Sequence, residues 1–452
     1  MKIKPINPKG TRDFLPEEVA KRNFIFDTIK KRFQLYGFLQ IETPVLERIE
    51  TLQGKYGDEG DKLLFKVLNS GDYLSKVNSA DFIEKGEDGS VQLVSKKLTS
   101  KIVEKGLRYD LTVPLARYAV QHQSDLAFPF RRFHIGPVWR ADRPGKGRYQ
   151  EFYQCDADII GTDSLFGEVD LLSLMTETYT ALNIQHVIKV NNRKILQGVI
   201  ESCNLLDKMT LITTIIDKLD KIQWSGVKEE LKKLDIPEAD LNLLMDYMQI
   251  GDLNQLAAKL ANNQMGMKGI EELKFVMEKL EVGTIEYDIT LARGIDYYTG
   301  FICEVKCTNA EMGSIGAGGR YDNLTAVFGG QNMSGVGVSF GVERIYDIME
   351  EQGLFPATIF NSTKVLITNF DQDSQAVGFD LLRWLRKNNI SSEQYPSSGK
   401  LDKQLKYANN KKIPYVILLG SNEIANNTYT FKNMDSGEQR ELKRDEILLF
   451  LN

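Results

Sequence analysis

Three arginines stand apart by the settings they occupy. Arg140 ends the run RRFHIGPVWR (131–140), Arg293 opens RGIDYYTG, and Arg344 is the fourth residue of GVER at an expected helix start. An arginine in a first helical turn opposes the helix dipole at a cost of about a few tenths of a kcal/mol. Taken singly, each fits a salt bridge. Brought to one cleft, the three would make a polyphosphate site, because guanidinium offers paired donors to phosphate and stacks on a flat base. Residues 131–152 carry six basic side chains, Arg131, Arg132, Arg140, Arg143, Lys146 and Arg148, in a chain whose formal net charge is −5.

The elements that must carry these arginines read as a hairpin. In 131–140 one alternating set is Arg132, His134, Val138 and Arg140. In the return run it is Arg148, Gln150, Phe152, Gln154, Asp156 and Asp158. The connection ADRPGKG has the Pro and Gly of a loop. One face of this pair is therefore polar, within otherwise apolar sequence. A solvent-facing sheet is the general explanation, but a mixture of Arg, Gln and Asp without Lys weakens it.

Upstream, Phe24, Ile25, Thr28, Ile29 and Phe33 recur at helical spacing, and Gly37 ends that helix. FLQIETPVLE reads as a strand, with Pro44 marking an edge, a kink or an interface. Residues 69–106 read as a polar, irregular surface insertion, with a turn at GEDGS. Residues 163–282 read as mostly helical, with Pro237 near a helix start. Strands return at 284–307, followed by a glycine-rich turn, the strand VGVSF and the helix GVERIYDIMEE. Neither GSIGAGGRYD nor SGVGVSFG has the dinucleotide glycine spacing, and no P-loop lysine motif occurs. A nucleotide would be bound on another scaffold. After a boundary near Pro356–Thr363, strands and helices alternate as in a small α/β domain.

At 452 residues, 42 % hydrophobic and 26 % charged, the chain reads as a soluble globular protein of roughly three domains. MKIKPINPKGTRDF has no apolar core of a secretory signal. No apolar run approaches the ~20 residues of a membrane span. Cys155, Cys203, Cys303 and Cys307 are too few and scattered for a disulfide framework, which points to a reducing cytoplasm. Cys303 and Cys307 could share a strand face, but without a nearby histidine they read as packing, not as zinc ligands. Residues 363–452 hold 13 Lys+Arg against 11 Asp+Glu, a mildly basic tail on an acidic body. That permits a nucleic-acid partner without demanding one.

These stretches carry a resemblance. YGFLQIETPVLE, VWRADRPGKGRYQEFYQCD and GVGVSFGVERI resemble motifs 1, 2 and 3 of class II aminoacyl-tRNA synthetases. LARGIDYYTG and GAGGRYDNL resemble two signatures of the histidyl-tRNA synthetases, and PKGTRDF and LRYDLTVPLARY fit the same family. The match runs from residue 8 into the C-terminal domain and leaves 69–106 unmatched. It implies an α+β catalytic domain over 1–356, an antiparallel sheet flanked by helices with a helical insertion at about 163–282. It also implies an anticodon-binding α/β domain at 363–452 and a homodimer with motif 1 at the interface. The implied reaction joins L-histidine and ATP into histidyl-adenylate, with Mg2+ bridging the outgoing phosphates, and then charges the 3′ adenosine of tRNA(His).

The resemblance also implies roles. Arg140 grips the α-phosphate, Arg344 stacks on adenine and reaches the γ-phosphate, and Arg148 meets the phosphates from the return strand. Arg293 stands at the α-phosphate where relatives place a metal ion. Arg140 and Arg293 are thus the catalytic candidates and also face the histidine; fixed guanidinium groups would stabilise charge building on the non-bridging oxygens. Asp110, Leu111 and Thr112 in DLT, together with Gln154, hold the α-amino group. Asp158 and Tyr298 pair the imidazole nitrogens, with Tyr297 and Tyr321 lining the pocket. RYDLTVP resembles the eukaryotic variant of its motif. The alternatives are a sister class II enzyme for another amino acid and a non-catalytic, histidine-sensing regulatory paralogue of ATP phosphoribosyltransferase. Such paralogues commonly lack the C-terminal domain and the Arg-Gly-x-Asp-Tyr-Tyr signature, both present here.

Overall fold

A computed structural model describes residues 4–451 apart from 76, 79–81, 86–89, 281–284, 293–296, 324, 331, 357–358 and 360–362. The chain divides into two compact units, Met1–Phe355 and Pro356–Asn452.

The strands of the first unit are β1 (Leu39–Gln40), β2 (Leu46–Arg48), β3 (Lys66–Val67), β4 (Ile83–Lys85), β5 (Val91–Leu93), β6 (Lys105–Leu107), β7 (Phe130–Trp139), β8 (Glu151–Ile160), β9 (His186–Asn192), β10 (Ile285–Tyr287), β11 (Phe301–Cys307), β12 (Gly316–Tyr321) and β13 (Gly335–Gly341). Eight of them form one sheet, in the order β1-β7-β8-β13-β12-β11-β9-β10. Its body from β7 to β9 is antiparallel, and β1 and β10 join at the edges in parallel. Helices cover one face. Ile25, Ile29 and Phe33 of helix Pro16–Leu35 are fully buried, with the Phe33 ring 5.2 Å from Phe133 on β7 and 5.8 Å from Phe340 on β13. Helix Phe166–Ala181 adds Leu171, Leu172, Met175 and Tyr179, and helix Val342–Glu351 adds Ile345, Ile348 and Met349. Burying each large apolar side chain contributes about 1.5–3 kcal/mol. Because side chains alternate along a strand, the residues between these core positions all face the other way. This is the α+β architecture expected, an antiparallel sheet flanked by helices.

Several local expectations need correction. FLQIETPVLE is not one strand. It divides into β1, in the large sheet, and β2, in a separate sheet of order β2-β6-β3, with Pro44 in the gap where no ladder donor is needed. Residues 69–106 are not wholly irregular, for they contain the β4–β5 hairpin, helix Ser95–Ile102 and most of β6. The stretch 163–282 is mostly helical, as expected, and one strand interrupts it. Strand β9 inside it pairs with β11 and β10, so HVIKVNN belongs to the main sheet, with helix Phe166–Ala181 before it and the run of helices from Arg193 after it. GAGGRY is a central strand, not a turn. A Cβ on Gly318 would lie 2.4 Å from the Gly337 carbonyl, and one on Gly316 would lie 2.3 Å from the Tyr179 hydroxyl, so close packing accounts for these glycines. All four cysteines are buried thiols.

The second unit has its own sheet of β14 (Val365–Ile367), β15 (Ser392–Gln394), β16 (Tyr415–Leu418), β17 (Tyr429–Asn433) and β18 (Gln439–Leu442), in the order β15-β14-β16-β17-β18. The first three strands are parallel and the last two antiparallel. Leu381, Leu385, Ile417 and Phe431 centre one core layer, and Leu366, Ala408 and Val416 another. Helix Gln372–Lys387 is capped by Asp371, which accepts from the Ser374 amide at 2.8 Å.

Candidate active site

The uncovered face of the large sheet forms the floor of a cavity of about 270 Å³. Cys155, Ala157, Val338 and Phe340 point into the core, so Gln154, Asp156 and Asp158 of β8 and Gly337 and Ser339 of β13 point into the cavity. The polar set of the return strand is therefore a lined site and not a solvated face. Strands β7 and β8 pair Arg132 with Asp158 and His134 with Asp156. Arg132 has no exposed surface, and its terminal nitrogen lies 2.6 Å from Asp158 Oδ2. Tyr321 donates its hydroxyl to Asp158 Oδ1 at 2.7 Å. Gly337 makes room for this carboxylate, for a Cβ there would sit 1.9 Å from Asp158 Oδ1.

A second wall comes from the start of helix Thr112–Gln121. Asp110 accepts from Tyr56 (3.0 Å), Tyr297 (3.3 Å) and the Val113 amide (3.1 Å). The Tyr297–Tyr298 pair is anchored behind by Thr299, whose amide donates to the Arg320 carbonyl and whose hydroxyl donates to Asp322 at 2.6 Å. Arg320 itself forks onto buried Glu168 at 2.6 and 2.7 Å. Burial pushes the Asp110 and Asp158 carboxyls up against the pull of Arg140 and Arg132 respectively, and pushes Asp156 up to about 7. This end of the cavity is a cluster of desolvated acceptors suited to an ammonium or an imidazole N–H.

The other end is cationic. The Arg140 guanidinium lies 4.2 Å from the Tyr109 ring centre, with its Nε donating to the Tyr109 carbonyl at 3.1 Å. Half-exposed Arg148 pairs with Asp142 at 2.8 Å. Arg344 donates to the carbonyls of Gly147 (3.1 Å) and Ser314 (2.6 Å). Gly147 has φ +64°, and a Cβ there would come within 3.0 Å of Arg344. The loop of the hairpin and the helix start are thus tied together at Arg344.

Of the residues singled out in the sequence, Asp110, Thr112, Arg140, Arg148, Gln154, Asp158, Tyr297, Tyr298, Tyr321 and Arg344 all line this cavity. Leu111 does not. It is fully buried behind the wall, where its carbonyl accepts from Arg132 at 3.2 Å. Arg293 lies outside the described residues. The sequence reading missed Asp156, Ser339 and Glu343. Asp156 shares the alternation that marked Gln154, which could have found it, whereas Ser339 comes beside it only through the pairing of β13 with β8. Glu343 reads as an ordinary acid in a first helical turn, yet it is buried and takes Arg12 and also Arg22 (2.6 Å). Arg12 also stacks 3.5 Å from the Tyr149 ring centre, which explains why PKGTRDF belongs with the site.

Comparison with known proteins identifies the family. The family model described as "Histidyl-tRNA synthetase" matches residues 76–345. A histidine–tRNA ligase of Christiangramia forsetii is 50 % identical over 98 % of both chains. The chain belongs to the histidyl-tRNA synthetase family. A histidine–tRNA ligase of Porphyromonas gingivalis is 49 % identical, again over 98 % of both chains. The histidyl-tRNA synthetase structure from Nostoc sp. PCC 7120 superposes with a TM-score of 0.80 at 29 % identity, covering 99 % of this chain and 100 % of that one. The family's span takes in most of 69–106, the segment unmatched in the sequence reading. A second family model, described as "Anticodon binding domain", matches residues 364–452. A structure titled as an ATP phosphoribosyltransferase regulatory subunit/histidyl-tRNA synthetase from Bacillus halodurans shares the fold, with a TM-score of 0.69 at 20 % identity. The full-length histidine–tRNA ligases do not favour the regulatory alternative.

Proposed function

We propose that this chain activates L-histidine with ATP and transfers the histidyl group to tRNA(His). One observation carries the reading: a single cavity with desolvated carboxylates at one end and Arg140, Arg148 and Arg344 at the other. Histidine sits with its ammonium toward Asp110, Thr112 and Gln154 and its imidazole between Asp158 and the tyrosines. Its carboxylate attacks the α-phosphorus. The new bond joins carboxylate oxygen to phosphorus, and the bond from phosphorus to pyrophosphate breaks. Arg140 and Arg293 hold the charge that builds on the non-bridging oxygens, and Arg344 and Arg148 hold the adenine and outer phosphates. No protein nucleophile is needed. Among the described residues no three His, Cys, Asp or Glu side chains are grouped to hold a metal. Mg2+ would come with the triphosphate, on its outgoing oxygens.

Residues 363–452 act as the tRNA-reading domain, contacting phosphates and unpaired anticodon bases. Exposed Leu35, Leu39, Val45 and Leu46 cluster in sequence around motif 1 and support a homodimer through that region. None of the described helices is long and apolar enough to cross a membrane, and the cytoplasm is the compartment proposed. The test is histidine-dependent ATP–pyrophosphate exchange, followed by charging of tRNA(His). A chain ending at Ser362 should keep the exchange, if the dimer is intact, and lose most of the charging. Equal charging by the two chains would count against the tRNA-reading role.

A further inference from the structure

Arg12 bridges two elements at the cationic end of the cavity. Its guanidinium pairs with Glu343 and lies 3.5 Å from the Tyr149 ring centre. Glu343 is the second residue of helix Val342–Glu351, and Tyr149 stands on the return run of the hairpin, just before β8. Arg344 makes a neighbouring bridge between the same two elements. It reaches from the next helix residue to the carbonyl of Gly147, two residues before Tyr149, at 3.1 Å. The joint between hairpin and helix therefore has two rungs. Arg344 is the rung that lines the cavity, and Arg12, which does not line it, is supplied by the N-terminal segment.

That segment is seated on the hairpin. The Gly10 carbonyl accepts from the Gln150 amide at 2.8 Å and from the Glu151 amide at 3.4 Å. Gly10 has φ +80°, and a Cβ there would lie 2.6 Å from the Gln150 side chain, so glycine is what lets the two backbones come this close. Arg12 is not required to neutralise Glu343. Arg22 of helix Pro16–Leu35 holds the same carboxylate oxygen at 2.6 Å, and the Tyr153 amide donates to the other at 3.3 Å. What Arg12 adds is its hold on Tyr149, a planar cation on a ring face. Without Arg12, Glu343 stays paired and the helix stays anchored, while the hairpin loses a tie to it.

We propose that Arg12 is a positioning residue for ATP. By clamping Tyr149 to Glu343 it fixes the gap that Arg344 spans, and so holds Arg344 and Arg148 where they grip the nucleotide. The proposal rests on the reading that the cationic end of the cavity takes ATP. Arg12 does not touch the nucleotide and acts through the two elements it joins.

The test uses the full-length protein and its Arg12→Ala, Arg12→Lys, Tyr149→Ala and Tyr149→Phe variants, together with the Arg12→Ala/Tyr149→Ala double variant. ATP–pyrophosphate exchange is measured with ATP and histidine varied separately. Arg12→Ala should raise the ATP KM about tenfold, the scale of a part-buried cation–π contact, with the histidine KM unchanged. Arg12→Lys keeps a charge beside Glu343 without the planar face and should show a smaller rise of the same kind. Tyr149→Ala should match Arg12→Ala, and Tyr149→Phe, which keeps the ring, should restore most of the lost affinity. Because both residues act through one contact, the double variant should be no worse than the worse single variant. Effects that multiply in the double variant would mean that Arg12 and Tyr149 act separately, and would overturn the proposal. So would an unchanged ATP KM in Arg12→Ala, or in Arg12→Lys should the alanine variant not fold. An equal rise in both KM values would mark general loosening and would overturn it too. No exchange by the parent protein with any amino acid would instead overturn the functional reading beneath it.

Discussion

Arg132 and Asp158 stand opposite each other on adjacent strands, 2.6 Å apart, with both side chains buried. The pair holds Asp158 in place beneath the cavity, and Tyr321 takes its other oxygen. Arg132→Met would leave a desolvated carboxylate with no counter-charge. Breaking one side of a buried pair costs about 3–5 kcal/mol. Urea unfolding should report a loss of that size. A loss below about 1 kcal/mol would show that the pair is not what holds the floor of the site.

Gly337 tests the same carboxylate by geometry and not by charge. Alanine there would press a methyl group to 1.9 Å from Asp158 Oδ1, so the carboxylate has to move. A shift of about 1 Å in a positioning group can cost ~10²-fold. Exchange with histidine in Gly337→Ala should fall by that factor, with the ATP KM little changed. Near-normal exchange in a folded protein would argue against the imidazole-binding role of Asp158.

Arg344 ties the hairpin loop to the segment before β12 through the carbonyls of Gly147 and Ser314. Lysine keeps the charge but not the planar fork that spans two acceptors. Arg344→Lys should raise the ATP KM by ~10-fold or more and leave the histidine KM near its parent value. An effect on histidine alone would reverse the assignment of the two ends of the cavity.

His134 and Asp156 should oppose each other in pH dependence. Burial, with Arg132 and Arg108 beside it, holds the His134 imidazole down to about 3 from an ordinary 6.5. Folding therefore excludes a proton there between about 3 and 6.5, and stability rises with pH. Burial lifts Asp156 to about 7 from an ordinary 3.8. Folding takes up a proton there between about 4 and 7, and stability falls with pH. Each effect is about 1.4 kcal/mol per pH unit at most, and the two nearly cancel between about 4 and 6.5. Relative to the parent, Asp156→Asn should gain stability as pH rises through that window, and His134→Gln should lose it. Urea midpoints at pH 4.5, 5.5 and 6.5 decide, and parallel curves for all three proteins would contradict the opposition.

Much of the site is legible in the sequence because strand alternation is a strict two-residue rule. Gln154, Asp156 and Asp158 fall on one face of β8 by counting alone, while Ser339 joins them only through the pairing of β13 with β8. What counting cannot supply is which side of a sheet is covered, so the same set also read as a solvated face. The glycines of GAGGRY misled for a related reason. Glycine signals a turn unless a neighbouring backbone or ring lies where its side chain would be, and that neighbour, Gly337 or Tyr179, is remote in sequence. Strand β9 was hidden because HVIKVNN is short and flanked by apolar helices. The Arg320–Glu168 fork, between residues 152 apart in sequence, left no local trace at all.

The central claim is that this cavity selects histidine and joins it to ATP. Amino-acid-dependent ATP–pyrophosphate exchange, run with each of the twenty amino acids, tests it most directly. A site built to hydrogen-bond a polar ring rejects an isostere lacking those groups by ~10⁴–10⁵. Exchange should respond to histidine alone. Exchange with any other amino acid that equals or exceeds that with histidine would contradict the account.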